Sequence, residues 1–418
     1  MKDASQRTAR DVRLLFATRA VRLFAYGFLS VVLVLYLAAA GLSEASIGLL
    51  LTLTLAGDTV ISLYLTTRAD RVGRRAMLLA GAALMIFAGA LFAVTRSFAL
   101  LLLAATVGVI SPAGNEVGPF LAIEQAALSE SLPAGRRTQA FAWYQLCGAF
   151  ATALGSLAGG GLASVLQRAG LAPLASYRAV VVGYGALGVA LVVLFARLSQ
   201  AVEAPAARRM APAARPSFLQ SSLGLSRSRA VVLKLSALFS VDAFAGGFVV
   251  QAFVAWWFHR RFGAAPALLG GIFFGANVLA GLSALSAAWV ARRIGLVRTM
   301  VFTHLPSNVL LLLVPLMPTL PLAMTVLFLR FSISQMDVPT RQSFTMAVVD
   351  PGERSAAAGV TGIARTVGSS ISPLVAGPLY AVPALASVPF FIAGGLKILY
   401  DLALLVAFGR VAPPEERQ

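Results

Sequence analysis

The sequence predicts an all-α membrane protein, with twelve transmembrane helices in two pseudo-symmetric six-helix halves. Three observations predict it. Of 418 residues, 59% are hydrophobic and only 12% charged, with a mean hydropathy of +0.84. That is more apolar surface than one water-soluble core can enclose, so lipid is the implied solvent. Apolar runs of about 20 residues, the length that crosses a bilayer, recur along the chain. They divide at a polar stretch near the midpoint, and short segments on its two sides repeat.

In chain order, the first six spans are read near 14–40, 45–67, 76–95, 98–122, 138–163 and 177–196, and the second six near 231–257, 267–290, 299–318, 320–346, 355–380 and 386–409. Between the sets, "SQAVEAPAARRMAPAARPSFLQSS" (Ser199 to Ser222) is rich in Ala, Pro, Ser and Arg, the composition of a linker. The expected organisation is an N-terminal bundle over 1–198, a cytoplasmic linker over 199–229 and a C-terminal bundle over 230–418. The opening "MKDASQRTARDVR" with the later "LAAAG" (Leu37 to Gly41) loosely resembles a cleavable signal. The apolar stretch between them is too long for a signal core of about 7 to 15 residues, so the segment is expected to be retained.

The net charge of +18 does not point to nucleic acid, because the basic residues sit in short islands between apolar runs rather than over a polar surface. They concentrate before the first span, after the even-numbered spans and in the linker. Arg96, Arg168, Arg178, Arg260 and Arg261 make up the sparse opposite side, with Lys234 and Arg341 at span edges assigned to the adjoining basic loops. By the positive-inside rule both termini face the cytoplasm of an inner or plasma membrane. The one cysteine, Cys147, excludes an intrachain disulfide, and His259 and His304 are the only histidines. Neither a metal-ligand constellation nor a phosphate-binding G-x-x-x-x-G-K-[ST] loop is present, so no cofactor, no enzymatic activity and no ATP drive are expected.

Internal similarity divides the chain the same way. "VRLFAYGF" (Val21 to Phe28) matches "VDAFAGGF" (Val241 to Phe248), and "ADRVG" (Ala69 to Gly73) matches "ARRIG" (Ala291 to Gly295). "NEV" (Asn115 to Val117) matches "MDV" (Met336 to Val338), and "GRR" at 135–137 matches "GER" at 352–354. Repeats in this order at a near-constant offset are a transporter architecture.

The loop between the second and third spans, "DRVGRR" (Asp70 to Arg75), resembles the G-x-x-x-D-R-x-G-R-R motif of the major facilitator superfamily, with Thr66 where the motif opens on glycine. Gly73 permits a tight reversal, and the arginines hold the loop at the headgroups. The resemblance implies that Asp70, Arg71, Arg74 and Arg75 form a charge–dipole latch with neighbouring helices, favouring one access state. The repeat places Arg292 where Asp70 stands, so no symmetrical second latch is expected. In the fifth span, "GSLAGG" (Gly155 to Gly160) resembles the G-P-x-x-G-G end of the antiporter-branch motif, with Ser156 for proline. Gly155, Gly159 and Gly160 either mark that drug/proton antiporter-like branch or serve close helix packing.

Ten ionisable residues fall inside the expected spans: Arg19, Arg22, Asp58, Glu116, Asp242, Arg330, Asp337, Arg365, Lys397 and Asp401. At about 2.5 to 3.5 kcal/mol apiece facing lipid, together they exceed a net stability of about 5 to 15 kcal/mol; they must pair or face water. The family resemblance places the first, fourth, seventh and tenth spans around a central cavity, and with them Arg19, Arg22, Glu116, Asp242, Arg330 and Asp337. Arg22 and Asp242, at corresponding repeat positions, are a candidate cross-cavity pair. Arg330 and Asp337, seven residues apart, are expected on one helix face.

Asp58, twelve residues before Asp70 and so about 18 Å along a helix, has two readings, a proton carrier or an ion pair with Arg365. Lys397 and Asp401 are expected to pair within one helix. His304 is expected at the cytoplasmic boundary rather than in a proton relay. Glu124 and Gln125 either join the latch or are solvated.

The favoured reading is a monomeric secondary transporter in the lipid bilayer, exporting a small organic compound against protons by alternating access of its halves. Uptake or exchange of an anionic solute, with Arg22, Arg330 and Arg365 as counter-charges, is the alternative. A membrane sensor or scaffold that moves nothing is the other.

Overall fold

The computed structural model describes residues 2–132, 134–203, 227–350 and 353–409, without the side chains of 2–8, 134–139 and 355. Most of the expected linker lies outside the described residues, as does part of the 135–137 and 352–354 repeat match. The described residues are helical throughout, apart from turns and loops. They fall into two compact units, one within Met1–Pro212 and Gln251–Phe274, the other within Ala213–Val250 and Gly275–Gln418.

The first unit holds α1 (Lys2–Ser30), α2 (Leu33–Ala39), α3 (Glu44–Val72), α4 (Arg74–Val94), α5 (Phe98–Val107), α6 (Phe120–Ser131), α7 (Ala134–Arg168) and α8 (Pro173–Ala196). A single residue, Gly73, joins α3 to α4; its φ of 124° is one that a residue with a side chain rarely adopts. Helix α7 lies against α1 with almost nothing between their backbones. A Cβ placed on Gly155 would fall 2.0 Å from the Phe24 carbonyl oxygen, and one on Gly159 2.1 Å from that of Phe28. The GSLAGG stretch is thereby occupied in helix packing.

Segment 251–274, which the sequence reading assigns to the C-terminal bundle, clusters with this unit and comprises α10 (Gln251–Phe262) and the start of α11 (Pro266–Ile294). Its attachments are specific. Ala252 N–H donates to the Pro112 carbonyl (3.1 Å), and the Gln251 amide donates to Ser30 Oγ (2.9 Å) and Ser156 Oγ (3.1 Å). Arg260 pairs with Glu44 at 2.8 Å, and a Cβ on Gly160 would meet the Pro266 carbonyl oxygen at 2.1 Å.

The second unit holds α9 (Arg229–Gly247), the rest of α11, α12 (Leu296–Leu313), α13 (Leu320–Phe331), α14 (Asp337–Val348), α15 (Arg354–Ala381) and α16 (Val388–Phe408). Its apolar core joins Leu235 and Phe239 of α9 to Val297, Met300 and Val301 of α12, Phe344 of α14, and Tyr400, Leu404 and Phe408 of α16.

Among the described residues, eight helices are long and apolar enough to cross a membrane, or nine when α1 and α2, bent by 43°, are taken as one span. The expected twelve exceeds this for a physical reason. The fourth and tenth spans are broken into α5 and α6 and into α13 and α14, and α15 carries Arg365, Ser369, Ser370 and Ser372. The first and seventh spans are interrupted as well, at 31–32 and 248–250. Discontinuous helices leave backbone groups free, which membranes tolerate only inside protein or beside water, and in transporters they mark binding sites.

Candidate functional site

Two clusters of buried charge stand at these interruptions, one in each unit. In the first unit, α1 contributes Arg19 and Arg22, three residues apart and so on one face. The break in the fourth span contributes Glu116, and α6 contributes Glu124. Arg22 is fully buried and uses every donor group of its guanidinium. Its Nε meets Glu116 at 2.7 Å, while its two terminal nitrogens meet Glu124 at 2.8 and 2.7 Å, the fork-to-fork geometry that suits a guanidinium and a carboxylate.

Arg19 pairs with the other Glu116 oxygen at 2.7 Å, and donates to the Tyr144 carbonyl at 2.7 Å and to the Gln145 side chain. Thr18 (2.7 Å) and the Tyr144 hydroxyl donate to Glu124 as well. Glu124, expected either in the latch or in solvent, is completely enclosed. Its sequence position carries no signal for this, because its partners come from other helices, Arg22 of α1 at a separation of 102 residues and Tyr144 of α7 at 20.

The expected Arg22–Asp242 pair is replaced by pairing within each unit. Asp242, on α9, is the hub of the second cluster. One of its oxygens takes Lys397 Nζ of α16 at 2.5 Å. The other takes Arg341 of α14 at 3.2 Å and Arg365 of α15 at 3.1 Å. Arg341 also holds Asp337, one turn before it, at 2.9 Å. Arg341 was assigned to a loop by its place at a span edge; the four-residue spacing from Asp337 was the signal that identifies it as a partner.

Asp401 does not pair with Lys397, whose long stem reaches α9 instead. Its carboxylate meets His304 Nδ1 at 2.8 Å and the Asn308 amide at 2.9 Å. His304 is buried within the unit. Arg330 and Asp337 do not share a helix face, since the chain leaves helical geometry between α13 and α14. Among the described residues no carboxylate pairs with Arg330. Its Nε is buried without an acceptor, as is the Ser334 hydroxyl in the adjoining break.

Asp58 of α3 stands apart from both clusters, and Arg365 is not its partner. It accepts from the Gly118 N–H at 2.7 Å and from the Ser62 hydroxyl at 3.3 Å. Gly118, at φ 81°, turns that N–H toward α3 at the break of the fourth span.

The DRVGRR stretch forms a third constellation. Arg74, almost fully buried, meets Asp70 at 2.8 Å and both oxygens of Glu130 on α6, at 2.7 and 3.0 Å. The N-terminus of α4 lacks a side-chain cap of its own. Glu203, just beyond α8, caps it by accepting from the backbone N–H groups of Arg74 (2.7 Å) and Arg75 (3.3 Å). Arg71 is on the surface. Among the described residues no group of three or more His, Cys, Asp or Glu side chains is placed to hold a metal ion.

Interrupted helices, paired buried charge and a multi-span apolar chain define an integral membrane protein of the transporter class. A family model described as Major Facilitator Superfamily matches residues 15–373. The chain belongs to that superfamily, and so to transport proteins rather than enzymes. It is 32% identical to a Saccharomyces cerevisiae protein described as "Uncharacterized membrane protein YJR124C", over 96% of this chain and 94% of that one.

Among solved structures it is similar to the nucleoside transporter NupG (TM-score 0.71, 15% identity, 95% of this chain and 99% of that one). It is also similar to a D-xylose-proton symporter (0.71, 16%, 94% and 96%) and to the human organic anion transporter MFSD10 (0.62, 18%, 95% and 99%). At these identities the likeness is one of fold. It does not single out the antiporter branch that the fifth-span motif implied.

Proposed function

We propose that the chain is a secondary active transporter that takes up or exchanges a small organic anion by alternating access, with Arg330 as the counter-charge of the solute. The observation that carries this reading is the imbalance at the tenth span. Every other arginine of the two clusters has a carboxylate, whereas the half-buried Arg330 has none among the described residues and keeps a buried Nε without an acceptor. A buried guanidinium nitrogen left so is costly, and a carboxylate or phosphate on the solute would complete it in forked geometry.

Uptake draws support from relatives of the same fold described as a proton symporter and a nucleoside transporter, and an anionic solute from one described as an organic anion transporter. Export by antiport rests on the fifth-span resemblance, whose glycines serve helix packing. In this reading the chain forms two six-helix halves in an energised membrane with both termini cytoplasmic, on the distribution of its basic residues. The Asp70–Arg74–Glu130 constellation holds one access state.

The test is a thermal-shift series on the purified protein with benzoate, succinate, ribose 5-phosphate, xylose and uridine. Anionic compounds should stabilise it, by about 2.7 kcal/mol at a hundredfold excess over Kd, and Arg330→Gln should abolish that gain. Stabilisation by xylose or uridine alone, or an anion effect untouched by Arg330→Gln, would refute the assignment.

A further inference from the structure

His304 carries no part in the anion site just described, yet its surroundings are built around its ring. Asp401 Oδ1 lies 2.8 Å from Nδ1, and Asn308, one turn further along α12, binds the other Asp401 oxygen at 2.9 Å. The Asn308 amide nitrogen also lies 3.1 Å from Nδ1, and the carboxylate beside it favours the tautomer with the proton on Nδ1 and a lone pair on Nε2. Nε2 lies 3.9 Å from Asp242 Oδ1, and the Tyr400 ring stands edge-on to the imidazole with centroids 5.9 Å apart.

The remaining groups around the ring come from every helix packed there. Lys397 of α16 shares Asp242 Oδ1, Arg341 of α14 and Arg365 of α15 hold Oδ2, and Asp337 holds Arg341. Arg330 of α13 lies within electrostatic reach of Asp242 and Asp337.

We propose that His304 is the proton-coupling site of the transporter, binding one proton on Nε2 with Asp242 as the carboxylate that senses it; the coupling role rests on the transport reading above. The step is a proton transfer from hydronium to Nε2: an N–H bond forms as a hydronium O–H bond breaks and water leaves, and it reverses when access changes side.

The charge arithmetic gives the addition a consequence. Without a proton on Nε2, Asp242, Asp337 and Asp401 face Lys397, Arg341 and Arg365, with Arg330 as a fourth cation within reach. A proton on Nε2 adds another cation beside a carboxylate that already accepts from three, and the added repulsion falls on the least enclosed of those contacts. Arg365 is the least enclosed of the three, at 33% side-chain exposure against 10% or less for Lys397 and Arg341. Released, it joins Arg330 as a second counter-charge. Proton binding therefore precedes and strengthens anion binding. Asp58, which accepts from the Gly118 amide on one oxygen and lies outside this cluster, is assigned no part in the proposal.

The experiment needs no solute. Proteoliposomes on a solid-supported membrane are stepped from about pH 8 to about pH 5.5, across the range in which an imidazole changes charge, and the charge displaced by proton binding is recorded. The wild type should give a transient. His304→Gln should reduce it about fivefold or more and Asp401→Asn should weaken it, while Asp58→Asn leaves it within about twofold.

A wild type without a transient, an undiminished transient in His304→Gln, or its loss in Asp58→Asn would each overturn the proposal. Should His304→Gln fail to fold, nitrogen-15 spectra of the wild type decide, because His259 and His304 give two resolvable rings. His304 must then pass from the Nδ1-protonated to the doubly protonated form over the same step, and a ring that does neither overturns the proposal. The anion reading fails separately, in the Arg330→Gln thermal shifts.

Discussion

In the first unit two arginines face two glutamates, and the contacts close on themselves. The fork of Arg22 is filled by Glu116 and Glu124, and Glu124 takes further hydrogen bonds from Thr18 and Tyr144. In the second unit a single aspartate holds three cations from three helices, a histidine lies 3.9 Å away, and a further cation, Arg330, has no carboxylate among the described residues. A saturated network has one low-energy arrangement and resists change. A shared hub can be redistributed by a single proton or a single anion. The contrast suggests that the first cluster is a brace and the second is the part that responds.

Four substitutions test that contrast, in descending order of expected effect. Asp242→Asn strips the hub and leaves Lys397, Arg341 and Arg365 without its charge, so it should cost about 3 to 5 kcal/mol, the usual penalty for breaking a buried pair. The thermal midpoint in detergent should fall steeply, and adding Lys397→Met should recover part of the loss. A midpoint unchanged by Asp242→Asn would dissolve the idea of a hub.

Glu124→Gln comes next, at about 1.5 to 3 kcal/mol for lost charged hydrogen bonds, since Glu116 still holds Arg22. Here the midpoint should drop without any change in the proton-binding transient; a changed transient would make the first cluster responsive too. Gly155→Ala should cost about 1 to 3 kcal/mol by overpacking, because the methyl group meets backbone rather than a side chain able to move; a neutral result would mean that α1 and α7 are not in close contact. Asp70→Asn should be the mildest, about 0.3 to 0.5 kcal/mol at a half-exposed site where Glu130 still holds Arg74. Its effect belongs to the balance of access states, to be read as altered labelling of cysteines placed at the two membrane faces.

Much of the fold was legible because it depends on bulk properties. The helical, multi-span apolar character of the chain and the turn at Gly73 follow from hydropathy and from one residue's conformational freedom. The site was legible as a set of residues but not as a set of pairs. Spacing arguments assume an unbroken helix, and the break between α13 and α14 separated Arg330 from Asp337. They also favour local partners, whereas Lys397 and Asp401, one turn apart, each turn to another helix. Glu124 and His304 were underestimated for a related reason. A polar side chain near a span end looks solvated until the helices that cover it are known, and those helices are far away in sequence.

The carbonyl-to-glycine contact of α7 on α1 limits where the first unit can flex. At Gly155 and Gly159 no side chains stand between them to slide or re-pack, so along that stretch the two helices behave as a single stiff beam. Whatever bending the first span undergoes during a transport cycle then falls on Val31 and Val32, the two enclosed residues between α1 and α2, which makes that short joint the natural hinge.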